Sequence, residues 1–282
     1  MEKITFQSKE EYACPVCDTV FHREELLSGG GRLIAGQLTD ELHRLYQPSA
    51  KYGDVYPLVY QATVCPNCWF ASTEKDFNLL PKNACFDVGE AEEDRKEEVR
   101  FIFPDVNFYE NRDIVSGAAS QYLVLRCYDY YGAKFSPTVK QGIASLRTAW
   151  LLDELHRKQP GENYDWLATL FKKKAQFFYD RAVEYEQSGK ESLSAAQNLG
   201  PDTDKNYGYE GVLYLSGILK VKYGCAGSIE QRNASLESTK RTIAKMFGLG
   251  KSSKNKPGPL LELAKGLYDK IKHELNEPDA DE

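Results

Sequence analysis

Cys14-Pro15-Val16-Cys17 and Cys65-Pro66-Asn67-Cys68 are two copies of one short element, and their reading decides what the first third of the chain is. In each, a two-residue spacer lets both sulfurs and the following backbone N–H groups converge on one ion. Four thiolates make a closed tetrahedral set suited to Zn2+. An iron site of the rubredoxin kind uses similar knuckles, and a redox pair is a further alternative, but two Cys-Pro-x-Cys elements in one chain favour zinc over either. The segment from Asp18 to Val64 between them is longer than the usual ribbon spacing, so the site would clamp distant pieces of chain together. A closed four-cysteine site leaves no position for substrate, which argues for a folding role and not for metal catalysis.

Outward from the knuckles, Ile4-Thr5-Phe6 and Val59 to Val64 read as short strands, with a Gly-rich turn at Gly29-Gly30-Gly31. Leu42, Leu45 and Tyr46 have helical spacing in the stretch Thr39 to Tyr46, which ends before Pro48, so one helix is expected to interrupt the ribbon. A second helix should start near Ser72, capped by Ser72 or Thr73, with Phe77 and Leu80 facing inward. Residues 1–85 are thus expected to form a small zinc-ribbon-like module with an inserted helix.

Residues 86–113 contain the acidic run Glu90 to Glu98, which lacks apolar periodicity and reads as a solvated connector or exposed helix. From Ile114 to about residue 275 the helical period dominates. Ile114, Ala118, Tyr122 and Leu125 keep one face; Val139, Ile143, Leu146 and Trp150 keep another after Ser136 as N-cap and Pro137 in the first turn. A helix from about Tyr164 to Gln187 should bury Leu167, Leu170, Phe171, Phe178, Ala182 and Tyr185 and stop at Gly189. Further helices hold Val212, Leu215 and Leu219 up to Gly224, and run from about Ser228 to Phe247 before Gly248 and Gly250. After a linker at 251–258, a last helix carries Leu260, Ala264, Leu267, Ile271 and Leu275, with an acidic tail at 276–282. Small residues among large ones in Leu213 to Leu219 suggest stacked antiparallel helical hairpins of a tetratricopeptide-like kind. The expected class is α+β, mainly α.

The 282-residue chain is 41% hydrophobic, enough for a real core, and its 18 Tyr and 13 Phe against 2 Met make rings the main packing units. A net charge of -6 makes general nucleic-acid binding unexpected, because phosphate neutralisation needs a surplus of Lys and Arg. The first residues carry no apolar h-region or cleavage site, and no uncharged apolar run is long enough to cross a bilayer, so a cytoplasmic protein with no membrane partner is expected. In that compartment seven cysteines point to metal or burial, not to a disulfide framework. Cys85, Cys127 and Cys225 lack a nearby partner, and Cys127, among apolar neighbours, reads as a small buried hydrophobe with a reactive thiol as the alternative. His22 and His43 read as surface or cap residues, each the substitute ligand if a cysteine is not used. A basic run holds Arg232, Lys240, Arg241, Lys245, Lys251, Lys254 and Lys256, either a patch for an acidic partner or a solvated helix face and loop. No phosphate-cradling Gly loop, nucleophile elbow or paired-His zinc motif is present, so no nucleophile or base is nominated.

The first knuckle, Thr39-Asp40-Glu41-Leu42 with Tyr46, and Tyr56-Pro57-Leu58-Val59-Tyr60 leading into Val64 to Ala71 resemble a widespread bacterial family of conserved proteins of unknown function. The resemblance is specific over about residues 10–80 and looser over 114–275. It implies a split four-cysteine module before a tetratricopeptide-like helical tail, in a bacterial, cytoplasmic, metal-binding protein, and supplies no activity. Family members usually carry Gly directly after the second knuckle, at a position suited to a left-handed backbone, where this chain has Trp69.

The first expectation for function is therefore a zinc-stabilised, non-catalytic adaptor whose helical groove takes a protein or peptide. A thiol or zinc redox sensor and a nucleic-acid-binding ribbon are the alternatives.

Overall fold

The computed structural model describes residues 3–224, 227–247 and 258–275. Cys225, the glycines at 248 and 250, the linker residues 251–257 with their three lysines, and the 276–282 tail lie outside the described residues.

Each knuckle is the turn of a hairpin. β1 (Thr5–Ala13) and β2 (Val20–Leu26) pair antiparallel, closing on Ala13 opposite Val20, and the first knuckle fills the six residues between. β3 (Ile34–Leu38) pairs with β4 (Arg44–Gln47). β5 (Ala62–Val64) pairs with β6 (Ala71–Thr73), closing on Val64 opposite Ala71 around the second knuckle.

The helix expected over Thr39 to Tyr46 is not formed. The Thr39 carbonyl accepts a backbone hydrogen bond from Leu42 (3.1 Å), its own N–H donates to the His43 carbonyl (2.8 Å), and its hydroxyl takes the His43 N–H (3.1 Å). Leu42, fully buried, turns the chain at φ 63° and sends it into β4. Two helical turns ending at a proline have too few internal hydrogen bonds to offset nucleation, and a hairpin satisfies the same backbone groups.

The helices follow: α1 (Glu74–Phe77), α2 (Lys82–Glu90), α3 (Glu92–Ile102), α4 (Ile114–Cys127), α5 (Pro137–Lys158), α6 (Tyr164–Ser188), α7 (Gly208–Tyr223), α8 (Ile229–Phe247) and α9 (Gly258–Glu274). Thr73 precedes α1 but does not cap it, its hydroxyl instead meeting Tyr128 Oη at 2.9 Å; Phe77 and Leu80 do point inward. The acidic run is largely α3, and it packs through Arg95 and Val99. Asp113 and Ser116 close a reciprocal capping box at the start of α4 (both bonds 2.8 Å). Gly117 on α4 lets the helix approach Val59, where a Cβ would lie 2.8 Å from Val59 Cγ2.

α5 is central and buried nearly all round from Pro137 to Leu152, packing on both α4 and α6. Ser136 sits at its N-cap position but gives its hydroxyl to the Ser192 carbonyl. The Glu191 carboxylate caps the helix instead, accepting from Thr138 N (3.1 Å) and Thr138 Oγ1 (2.7 Å). On α6 the buried face is Ala168, Phe171, Ala175, Tyr179 and Ala182, so the expected stripe is rotated. Leu170 is exposed, and Leu167, Phe178 and Tyr185 are half-buried. The cause is an alanine seam, which with Gly142 lets α6 lie close to α5. Consecutive helices α6 to α9 pack on one another, and the buried side chains form one cluster from Tyr12 to Ile271.

Candidate metal centre

The two knuckles have the same backbone. In the first, Cys14 N donates to Thr19 O (2.9 Å) and Asp18 N to Cys14 O (3.0 Å); in the second, Cys65 N donates to Phe70 O (2.9 Å) and Trp69 N to Cys65 O (3.0 Å). Pro15 and Pro66 open each turn with a preset φ. Asp18 and Trp69 then occupy the left-handed region at φ 57° and 58°, so Trp69 takes the conformation that glycine would adopt without strain. What holds it is packing: Trp69 is buried, meets Phe108 edge-on at 5.3 Å and carries the Arg100 guanidinium 5.0 Å above its ring.

The turns face each other, and sulfur contacts cross between them: Cys14 to Cys68 and Cys17 to Cys65, both 3.6 Å. All four Sγ atoms lie within 4.8 Å of one another. A disulfide needs about 2.05 Å. A tetrahedron of four sulfurs each about 2.3 Å from zinc has edges of about 3.8 Å, close to the separations seen. Cys14, Cys65 and Cys68 are fully buried and Cys17 is half-buried, with Asn67 Nδ2 donating to its sulfur at 3.6 Å.

Without a cation the buried thiols of Cys14, Cys65 and Cys68 compete for protons. Hydrogen bonds with Cys14 and Cys68 hold Cys65 far down, while the same contacts and burial push Cys14 and Cys68 up. A divalent cation would replace those protons and let all four ionise. Arg95 supports that charge: it is 4% exposed, has no carboxylate within ion-pair distance among the described residues, and gives its guanidinium to the carbonyls of Cys68 (2.6 Å) and Val88 (2.9 Å). A lone buried guanidinium beside a site that would carry net negative charge is electrostatically complementary to it.

The other sequence candidates fall elsewhere. His22 is half-exposed and bonds the Glu10 carbonyl, outside the sulfur group. Cys127 is buried, its sulfur accepting Ala71 N at 3.4 Å and its thiol pushed up by burial. Cys85 is half-buried beside the Pro81 carbonyl. Arg232 lies on the inner side of α8, bonded to the Lys220 and Val221 carbonyls and paired with Glu274 at 2.7 Å, which ties α8 to α7 and α9. Lys240 and Arg241 lie near Glu237 (3.9 and 3.5 Å), and Arg241 and Lys245 face outward.

His43 is neither a surface residue nor a helix cap. It is stacked on Trp150 (centroids 4.2 Å apart, planes 11° apart), and its Nδ1 lies 2.6 Å from the buried carboxylate of Asp202. Beneath it, Glu41 accepts from Tyr223 Oη (2.6 Å), Lys222 Nζ (2.9 Å) and Trp150 Nε1 (3.0 Å). Burial pushes both carboxyls up, but these partners outweigh it and hold Glu41 and Asp202 below the usual carboxylate range. The stack divides two clefts of about 340 and 290 Å3. No local signal joins His43 to Asp202, because the pair exists only once α5 and the loop before α7 are in place.

A buried four-thiol cluster set on a core continuous with a stack of helices defines an α+β, mainly helical protein with a candidate four-cysteine metal site. The chain belongs to the family described as "Uncharacterized protein conserved in bacteria (DUF2225)", whose model matches residues 7–271. A protein of Borreliella burgdorferi, itself described as uncharacterized, is 41% identical over 276 residues, covering 98% of this chain and 99% of that one. No solved structure matches the chain. Among the described residues, no helix is long and apolar enough to cross a membrane.

Proposed function

We propose that this is a zinc-stabilised, non-catalytic interaction protein: Cys14, Cys17, Cys65 and Cys68 hold one structural Zn2+, and the helical region presents a docking face to a protein partner in the cytoplasm. The four-thiol shell supports the first half, since it offers no histidine, carboxylate or open position for chemistry. One observation carries the second half. Trp166, Leu170 and Phe177 stand exposed on α6, spaced four and seven residues apart and opposite its buried Ala168–Ala182 face. Exposed Lys173 and Lys174 flank this stripe, so an amphipathic, acidic helix or peptide suits it.

Two measurements test the reading. Metal analysis of protein purified without added metal should find one zinc per chain, lost in Cys14→Ser and in Cys65→Ser; iron, or metal retained in either variant, refutes the zinc clamp. Proteins that copurify with the native chain are then purified and titrated against wild type and Trp166→Glu/Phe177→Glu. Binding weakened by about tenfold or more, with an unchanged melting temperature, supports the α6 face. Equal binding by the variant removes it. A redox-sensing reading rests on Cys17, whose sulfur is less buried than the other three; zinc release by near-stoichiometric peroxide would favour it.

A further inference from the structure

A cavity of about 380 Å3 opens where β2, the β6–α1 corner, α4, α5 and the 196–200 loop meet, apart from the cysteine cluster and from the α6 stripe. Its cations are mostly matched within the lining. Arg23 pairs with Glu74 at 2.7 Å, Lys140 pairs with Asp76, and Lys75 and Glu25 add one charge of each sign.

Arg147 is the exception. It is 9% exposed, its Nε donates to the Pro201 carbonyl at 2.7 Å, and its terminal nitrogens have no hydrogen-bond partner among the described residues. No carboxylate of the described residues lies within ion-pair distance of it. Partial desolvation of a guanidinium that has one hydrogen bond from the protein disfavours its charged form. Burial pushes its pKa down for the same reason. Ile143, Val124 and Ala144 supply apolar wall beside it, and Gln197 on the rim is held at φ 59°, ψ -43°, a backbone that non-glycine residues rarely adopt.

We propose that this cavity binds a small organic monocarboxylate, with the Arg147 guanidinium forking onto the carboxylate and the apolar wall taking the body of the ligand. A planar guanidinium matches a carboxylate with two parallel hydrogen bonds. The lining carries one net positive charge, so a monoanion neutralises it. A phosphate dianion would overshoot it beside the carboxylates of Glu25 and Glu74.

The test is calorimetric titration of the full-length, metal-loaded chain with butyrate, hexanoate and benzoate, each against its amide, and with inorganic phosphate. At least one carboxylate should bind once per chain, with its amide weaker by about tenfold or more, the worth of a charge-assisted hydrogen bond. Arg147→Met should abolish that binding and leave the ligand-free melting temperature unchanged or raised, because it removes an unpaired buried charge. Arg147→Lys keeps the charge, loses the fork and should bind about tenfold more weakly, so it decides the matter if the methionine variant fails to fold. The proposal is overturned if no carboxylate binds at millimolar concentration, if acid and amide bind alike, if phosphate binds more tightly, or if both variants bind as wild type does.

Discussion

Lys140 on α5 reaches the Asp76 carboxylate on α1, a buried ion pair joining the cysteine-bearing region to the helices: the two side chains are 8% and 7% exposed. Asp76 Oδ2 also accepts from Tyr128 Oη at 2.6 Å, and its backbone carbonyl accepts from Tyr131 Oη at 3.0 Å. Lys140→Met removes the cation and leaves a carboxylate desolvated, with one hydroxyl bond to its side chain. Breaking a buried pair from one side costs about 3–5 kcal/mol. At roughly 2–4 °C per kcal/mol for a chain of this size, that is a drop in melting temperature of about 6–20 °C. Lys140→Met/Asp76→Asn removes both charges, while the side-chain amide introduced on α1 still accepts from Tyr128. The double variant should therefore be more stable than Lys140→Met alone, by about 2–4 kcal/mol. Urea unfolding of the metal-loaded protein, with m-values compared, measures all four corners of the cycle. A Lys140→Met cost below about 1 kcal/mol, or additive single and double variants, would refute the view that this pair is desolvated and coupled.

Trp69→Gly relieves a left-handed backbone worth about 1–2 kcal/mol but gives up a buried indole worth about 3–5; net destabilisation of roughly 2–3 kcal/mol with zinc retained is expected from unfolding curves and metal analysis. Gly117→Ala forces a methyl group against Val59 and should cost about 1–3 kcal/mol by the same unfolding assay. Glu41 and Asp202 are held below their unfolded values, so their contribution is fully present above about pH 4.5 and is lost as pH falls through the lower folded values. Asp202→Asn should therefore flatten the acid limb of a melting-temperature profile, and an unchanged limb would remove Asp202 from that role.

The four-thiol cluster was legible because its information is local. Two identical Cys-Pro-x-Cys turns need only the spacing of their sulfurs and the preset φ of their prolines, and the structure brings all four sulfurs together. The helices after Ile114 were legible for a similar reason: their boundaries follow Pro137, Gly189 and Gly224, which act on the backbone of their own neighbourhood.

Tertiary contact decided the rest. Leu42 to Tyr46 have the spacing of a helix, yet the pairing of β4 with β3 outweighs the helical preference of so short a segment. The face of α6 that is buried is the alanine seam, because close approach to α5 is worth more than burying the largest side chains; this leaves Trp166 and Phe177 outside. The Ser136 hydroxyl is a ready-made local cap, and Glu191 displaces it from more than fifty residues away. His43 with Asp202, Lys140 with Asp76, and Arg147 with its cavity are arrangements between segments that no periodicity links. The sequence by itself determined which four cysteines gather into the thiol cluster and the helix boundaries that follow Pro and Gly, since each is set by a few neighbouring residues. Which faces meet and which charges are matched depend on relative positions of elements, and only the folded chain defines those.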